Sequence, residues 1–209
     1  MLEVLTDPNG FFRRKSNEEI EFKTPLIIIA ILAIISAASA FIIAQGVMGA
    51  LPEEAAAFAS IGASVGAIVA FLVAFVMWVI YSGIFYLISM VFNGEGDFKR
   101  VLEFVSYGFI PSIASSLIGT YFTSRVYSDI DWSIQDPQLL QEALLSDPSL
   151  QISGIIGILF LLWSANIWIF AMVHSRNMSV KDAGITVGVP ILIYILYTLY
   201  QLRIFGALI

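Results

Sequence analysis

Asn93–Pro111 reads NGEGDFKRVLEFVSYGFIP and is the one strongly polar, glycine-rich stretch inside a mostly apolar chain. To its left Ala55–Phe92 carries no charge, and to its right Phe104–Ser124 carries none. Such runs reach the ~20 residues that a bilayer-spanning helix requires. Lys99 and Arg100 place the turn between them on the cytoplasmic face, because short basic loops stay inside. That placement decides the topology of everything else.

Working outward, the whole chain has the composition of a membrane protein. Its 209 residues are 59% hydrophobic and 12% charged, with a mean hydropathy of +0.90, whereas a soluble domain carries roughly 25% charged residues. The expected fold is an all-α polytopic membrane bundle forming one domain, with five transmembrane helices, in the cell membrane. The first 23 residues are charged and lack a short apolar core with a small-residue cleavage site, so no cleavable signal is expected and the first span directs insertion. The absence of cysteine removes disulfide and thiolate chemistry, and a single histidine, His174, excludes a multi-histidine metal centre. A net charge of −6 argues against nucleic acid as a partner. No cofactor is expected.

Residues 1–23 form a polar segment in which apolar Leu2, Val4, Leu5, Phe11 and Phe12 surround the turn Asp7-Pro8-Asn9-Gly10, followed by Arg13, Arg14 and Lys15. Adjacent aromatic and basic residues suit either an interfacial anchor on an anionic leaflet or a solvated juxtamembrane tail. The five-helix domain follows over 24–209. Its spans are expected at 26–44, 62–92, 104–124, 152–173 and 183–202. Ala55–Phe92 is long for one span and barely long enough for two. It counts as one because basic residues flank both the first span and the Asn93 turn, which requires an even number of crossings between them. Pro52-Glu53-Glu54 suits the start of this second helix, and Gly62-xxx-Gly66, extended by Ala59, Ala63 and Ala70, permits close helix–helix approach or homo-oligomerisation. Pro111 is expected inside the third span. The acidic stretch Arg125–Leu150 follows, with a short helix capped by Asp136. Ser179-Val180-Lys181-Asp182 reads as a capping pattern that opens the fifth helix, which contains Pro190. Arg13, Arg14, Lys15, Lys23, Lys99, Arg100, Arg176 and Lys181 then fall inside, and Arg125 and Arg203 outside. The N-terminus is expected inside and the C-terminus outside.

Chemistry is sparse along these spans. Ion-coupled transporters and intramembrane proteases need acids or bases at depth, and here Glu103 and His174 sit at the inner edges. Ser112 or Ser115 with His174 makes an incomplete hydrolytic pair, since nothing orients the histidine. Asn166, the one amide deep in a span, is expected to face other helices and hydrogen-bond them, with Trp163 and Trp168 packing beside it. Asp129-Ile130-Asp131 begins like a calcium loop but has Ile134 where the turn glycine belongs. Gly94-Glu95-Gly96 lacks the spacing and lysine of a phosphate loop. Tyr194, Tyr197 and Tyr200 suit an interfacial aromatic belt. With no catalytic constellation, an enzyme is not expected.

The order of several of these motifs matches a known family. Phe92-x-Gly94-x-Gly96-x-Phe98-Lys99-Arg100-Val101-Leu102, with Tyr107-Gly108-x-x-Pro111 in the next span, resembles the Yip domain family, the Ypt/Rab-interacting membrane proteins. Asp7-Pro8 to Phe12 and Arg176 to Ala183 are similar as well. The resemblance implies five membrane helices and a cytoplasmic N-terminus, with eukaryotic members working in vesicle trafficking beside Rab-type GTPases. This chain has Glu21-Phe22-Lys23-Thr24-Pro25 where those members carry Asp-Leu-Tyr-Gly-Pro, and only a short segment before the first span. It is therefore more similar to prokaryotic members, archaeal or bacterial. The expected function is a membrane scaffold or adaptor that binds lipids or a protein partner through its cytoplasmic face, with Asp97, Lys99, Arg100, Glu103, Tyr107 and Pro111 as the contact residues. The alternative is a transporter, channel or lipid scramblase with a polar groove of Asn166, Ser112 and Ser115 near spans three and four.

Overall fold

The computed structural model describes residues 2–48, 53–129 and 147–201. A 3-10 turn at Leu2–Leu5 leads into helix α1 (Pro8–Lys15), then α2 (Lys23–Met48), α3 (Glu53–Val91), α4 (Phe98–Tyr107), α5 (Ile110–Asp129), α6 (Pro148–Ser175) and α7 (Val180–Gln201). No strand occurs among the described residues. Helices α2, α3, α6 and α7 are each long and apolar enough to cross a membrane, and α4 and α5 pass the same test together as one span bent by 46°. The chain is a multi-pass membrane bundle.

Sequence locates the spans well and their ends less well. The first helix begins earlier and ends later than 26–44, at Lys23–Met48, because threonine, proline and a glutamine-glycine end are all tolerated in its terminal turns. The third expected span, 104–124, is two helices. Pro111 lies inside the bent span as expected, but in the first turn of α5 rather than mid-helix, where its missing N–H costs nothing. The chain bends just before it, at Gly108-Phe109. The expected Asp136 helix and the last residue of 183–202 lie outside the described residues.

The helix ends follow local chemistry. Asp7 caps α1 by accepting from the Gly10 amide at 2.9 Å, with Pro8 at the first helical position. Helices α3 and α6 both close with an asparagine in the left-handed region, Asn93 at φ 54° and Asn177 at φ 50°. In each, the amide two residues past the last cap bonds back five residues, Gly94 to the Ser89 carbonyl and Met178 to the Val173 carbonyl. Ser179 accepts from the Asp182 amide at 3.1 Å and donates to its carboxylate at 2.7 Å, as the capping pattern requires.

Between the spans the contacts are small and hydroxylic, which suits lipid, where apolar surface alone does not drive helices together. Ser39 meets Thr120, and Gly46 packs on Tyr127, so α2 and α5 run parallel. Ser112 lies 3.5 Å from Ser164, and Gly119 faces Ser153, so α5 and α6 run antiparallel. Helix α3 buries one stripe, Ala63, Ala74, Trp78, Ser82, Phe85 and Ser89, and presents apolar side chains elsewhere. Its Gly62 and Gly66 are exposed, and no described residue comes within 4 Å of where a Cβ would stand. Among the described residues the packing uses the Ala63 face instead.

Candidate functional site

Among the described residues the buried charged side chains are concentrated at one end of the bundle, where the N-terminal segment, the Asn93–Asp97 turn and α4 come together. Leu2–Lys15 packs against the bundle instead of standing apart from it. Val4 and Phe12 are fully buried. Phe12 stacks on Phe104 at 4.8 Å between ring centroids, and Phe11 meets Tyr107 edge-on at 5.0 Å. The segment runs along the last turns of α6: the Leu5 carbonyl accepts from Trp163 Nε1 at 3.1 Å, and Asn9 Oδ1 pairs with His174 Nε2 at 2.8 Å. His174, which sequence left unoriented, is therefore held by the N-terminal segment.

Glu103 is the anchor of this docking. It is fully buried and pairs with Arg100 Nη1 at 2.9 Å and Lys15 Nζ at 3.2 Å. Its Oε1 also accepts from the Glu21 amide at 3.3 Å. Arg100 in turn donates to the Glu18 carbonyl at 2.6 Å and the Lys15 carbonyl at 3.4 Å. A buried carboxylate is tolerated only when paired and hydrogen-bonded in this way. Burial pulls the Lys15 ammonium down, but Tyr107, Glu103 and Glu18 together outweigh it and raise its pKa above the ordinary 10.5. A cation with a raised native pKa stabilises the fold below its unfolded value and loses that contribution only as pH climbs through the higher one. The Lys15 contribution to this docking is therefore fully present at neutral pH.

A second polar clamp sits alongside. Arg176 is 3% exposed, and among the described residues no carboxylate pairs with it. Its guanidinium donates to Ser89 Oγ at 3.0 Å and to the Gly94 and Gly96 carbonyls, and it lies 4.4 Å from the Tyr86 ring centroid. The Arg176 carbonyl accepts from the Glu95 amide at 2.8 Å. Gly96, at φ 127°, is required twice over: the conformation disfavours a side chain, and a Cβ there would strike the Ser175 carbonyl. The Gly94-Glu95-Gly96 stretch is thus an arginine-held turn, and this explains its glycines without a phosphate ligand.

The bend between α4 and α5 is fixed by tryptophans. Trp168 Nε1 donates to the Val105 carbonyl at 2.8 Å, and Trp78 Nε1 to the Leu102 carbonyl at 2.8 Å. Gly108 lets the indole in, since a Cβ there would overlap Trp168. Tyr107 and Pro111 are buried in this region and Glu103 in the ion network, so only Asp97 and Lys99 of the six expected contact residues are exposed, with Arg100 partly so.

The expected intramembrane groove divides. Ser112 and Ser115 line a cavity of about 300 Å³ with Tyr81, Tyr194 and Thr198. Asn166 belongs elsewhere: it is exposed and lines a different, apolar groove with Gly184 and Gly188. The expectation that it hydrogen-bonds other helices fails because Ser164, Ala165, Ile167 and Trp168 occupy the inward face of α6.

Comparison with known proteins agrees with this architecture. The Yip1 domain model matches residues 2–201. An uncharacterised protein of Methanocaldococcus jannaschii is 37% identical over 118 residues, covering 56% of this chain and 84% of that protein. No solved structure matches. The match begins at residue 2, so it takes in the docked N-terminal segment as well as the spans, and the chain belongs to the Yip1 domain family.

Proposed function

We propose that the protein is a non-enzymatic membrane scaffold or adaptor, placed in the cell membrane with its N-terminal end in the cytoplasm, that binds a lipid or protein partner through that end. The observation that carries this reading is the way charge is spent there. Glu103, Lys15, Arg100 and Arg176 are committed to holding the N-terminal segment and the Gly94–Gly96 turn in place. They hold up an exposed surface that includes Arg13, Glu95, Asp97 and Lys99. A rigid scaffold that presents charged side chains binds with less ordering cost than a mobile tail does.

The test uses exposed residues. With a photo-crosslinker at position 97, the native chain should capture a discrete set of neighbours in its host membrane, and Lys99→Glu should reduce that capture several-fold with thermal stability unchanged. Capture that is diffuse, or indifferent to Lys99→Glu, would contradict the reading.

The hydroxyl-lined cavity of Tyr81, Ser112, Ser115, Tyr194 and Thr198 supports a second reading, a polar path for a solute or lipid headgroup. Flux or scrambling by the protein in liposomes, reduced by Ser112→Val with Ser115→Val, would support it. Inactivity of the native protein, or activity that the double substitution leaves unchanged, would remove it.

A further inference from the structure

We propose that the cleft between the N-terminal segment and the first turn of α2 binds a zwitterionic phosphodiester headgroup, of the phosphoethanolamine or phosphocholine kind. The inference rests on the scaffold reading above, for which it supplies a lipid-type partner. The cleft has a volume of about 350 Å³, at the lower end of the ~300–1,000 Å³ common for small-molecule sites.

Its walls carry both signs of charge. Arg14 and Lys15 stand on α1, and Glu3 and Glu18 lie on either side of them. The Lys15 ammonium is positioned by buried Glu103, and its remaining acidic partner, Glu18, is 64% exposed at 3.3 Å. Arg14 is paired with Glu3, both about half exposed. The Arg14–Glu3 pair is exposed on both sides and worth little, and Glu18 reaches Lys15 from the exposed side, so both carboxylates are readily exchanged. A phosphate entering the cleft takes the Arg14 and Lys15 donors in charge-assisted hydrogen bonds, and the displaced Glu3 and Glu18 carboxylates receive the headgroup ammonium. Phe11 and Tyr107 also line the cleft, and aromatic faces favour ammonium and quaternary ammonium groups. A purely anionic headgroup would leave both carboxylates facing its charge.

Position selects a lipid over a soluble ester. Thr24, in the first turn of α2, lines the cleft, and the next side chains, Leu26 and Ile27, are each 47% exposed on the surface that meets lipid. Leu2, at the start of the segment, is 71% exposed. A headgroup in the cleft therefore has apolar surface beside it for its acyl chains.

The experiment is thermal unfolding of the purified full chain in detergent with added short-chain lipids. Dihexanoyl phosphatidylethanolamine and phosphatidylcholine should raise the midpoint saturably, and dihexanoyl phosphatidylglycerol and inorganic phosphate should not. Soluble phosphoethanolamine separates the sources: a shift at least about tenfold weaker than with the lipid assigns the site to lipid, and an equal shift supports the headgroup chemistry with a soluble ligand. In Arg14→Gln and Glu18→Gln the half-saturating concentration should rise about tenfold, with unliganded midpoints close to native, as exposed substitutions generally give. Equal stabilisation by phosphatidylglycerol or phosphate, no stabilisation at all, or variants that respond like the native chain would each overturn the proposal. None of these outcomes alters the Lys99→Glu capture result, so the scaffold reading stands or falls separately.

Discussion

The two ends of this bundle are held together by different physics. At the N-terminal end a buried carboxylate, three basic side chains and three indole N–H groups are each tied to named partners, and aromatic rings pack between them. Toward the other end, α2, α5 and α6 meet through glycine, serine and threonine, and α3 turns most of its side chains outward. Among the described residues the buried charged groups, which are costly to leave unpaired, lie at the first end. The difference teaches that a membrane bundle can specify its arrangement with a polar clamp at one end and leave the remaining surface to lipid. In this chain the clamp is also what builds the charged face.

Substitutions should therefore grade from one end to the other. Glu103→Ala should have the largest effect, about 3–5 kcal/mol, because it leaves the ammonium of Lys15 and the guanidinium of Arg100 uncompensated. Reversible unfolding in mixed micelles would measure it, and a loss under about 1 kcal/mol would erase the contrast between the ends. Arg176→Leu should follow at about 3 kcal/mol, since Ser89 Oγ and the Gly94 and Gly96 carbonyls lose their donor. Gly108→Ala should cost about 1–3 kcal/mol by forcing Trp168 off the Val105 carbonyl, visible as a change in tryptophan fluorescence. Gly62→Ala should be smallest, within about 0.5 kcal/mol, as no described residue approaches that site. A larger loss there, together with a change in oligomeric state, would assign the open glycine face to a second copy.

Sequence made the spans legible because hydropathy over some twenty residues is a strong, local quantity. It also made the capping pattern at Ser179 legible, since both partners sit within one helical turn. The clamp itself was not legible. Lys15 meets Glu103, and Arg176 meets Gly94 and Gly96, only after the bundle has assembled, and such long-range partners leave no local pattern. The one cue was Glu103 standing on the apolar side of α4, next to Phe104, Val105 and Tyr107. Asn166 was misplaced for the converse reason: polarity suggested an inward side chain, but helical phase puts its neighbours inward and the amide outward. Gly62 and Gly66 show the same limit, because a small-residue motif marks a surface able to pack without naming what packs there.

The central claim is that Glu103 fastens the N-terminal segment to the bundle. Amide hydrogen exchange of the native chain and Glu103→Ala in lipid nanodiscs tests it most directly. The α1 amides of Phe11–Lys15 should exchange slowly in the native chain and quickly in the variant, while the midsections of α2 and α6 stay protected in both. Fast exchange of α1 in the native chain, or protection that survives Glu103→Ala, would contradict it.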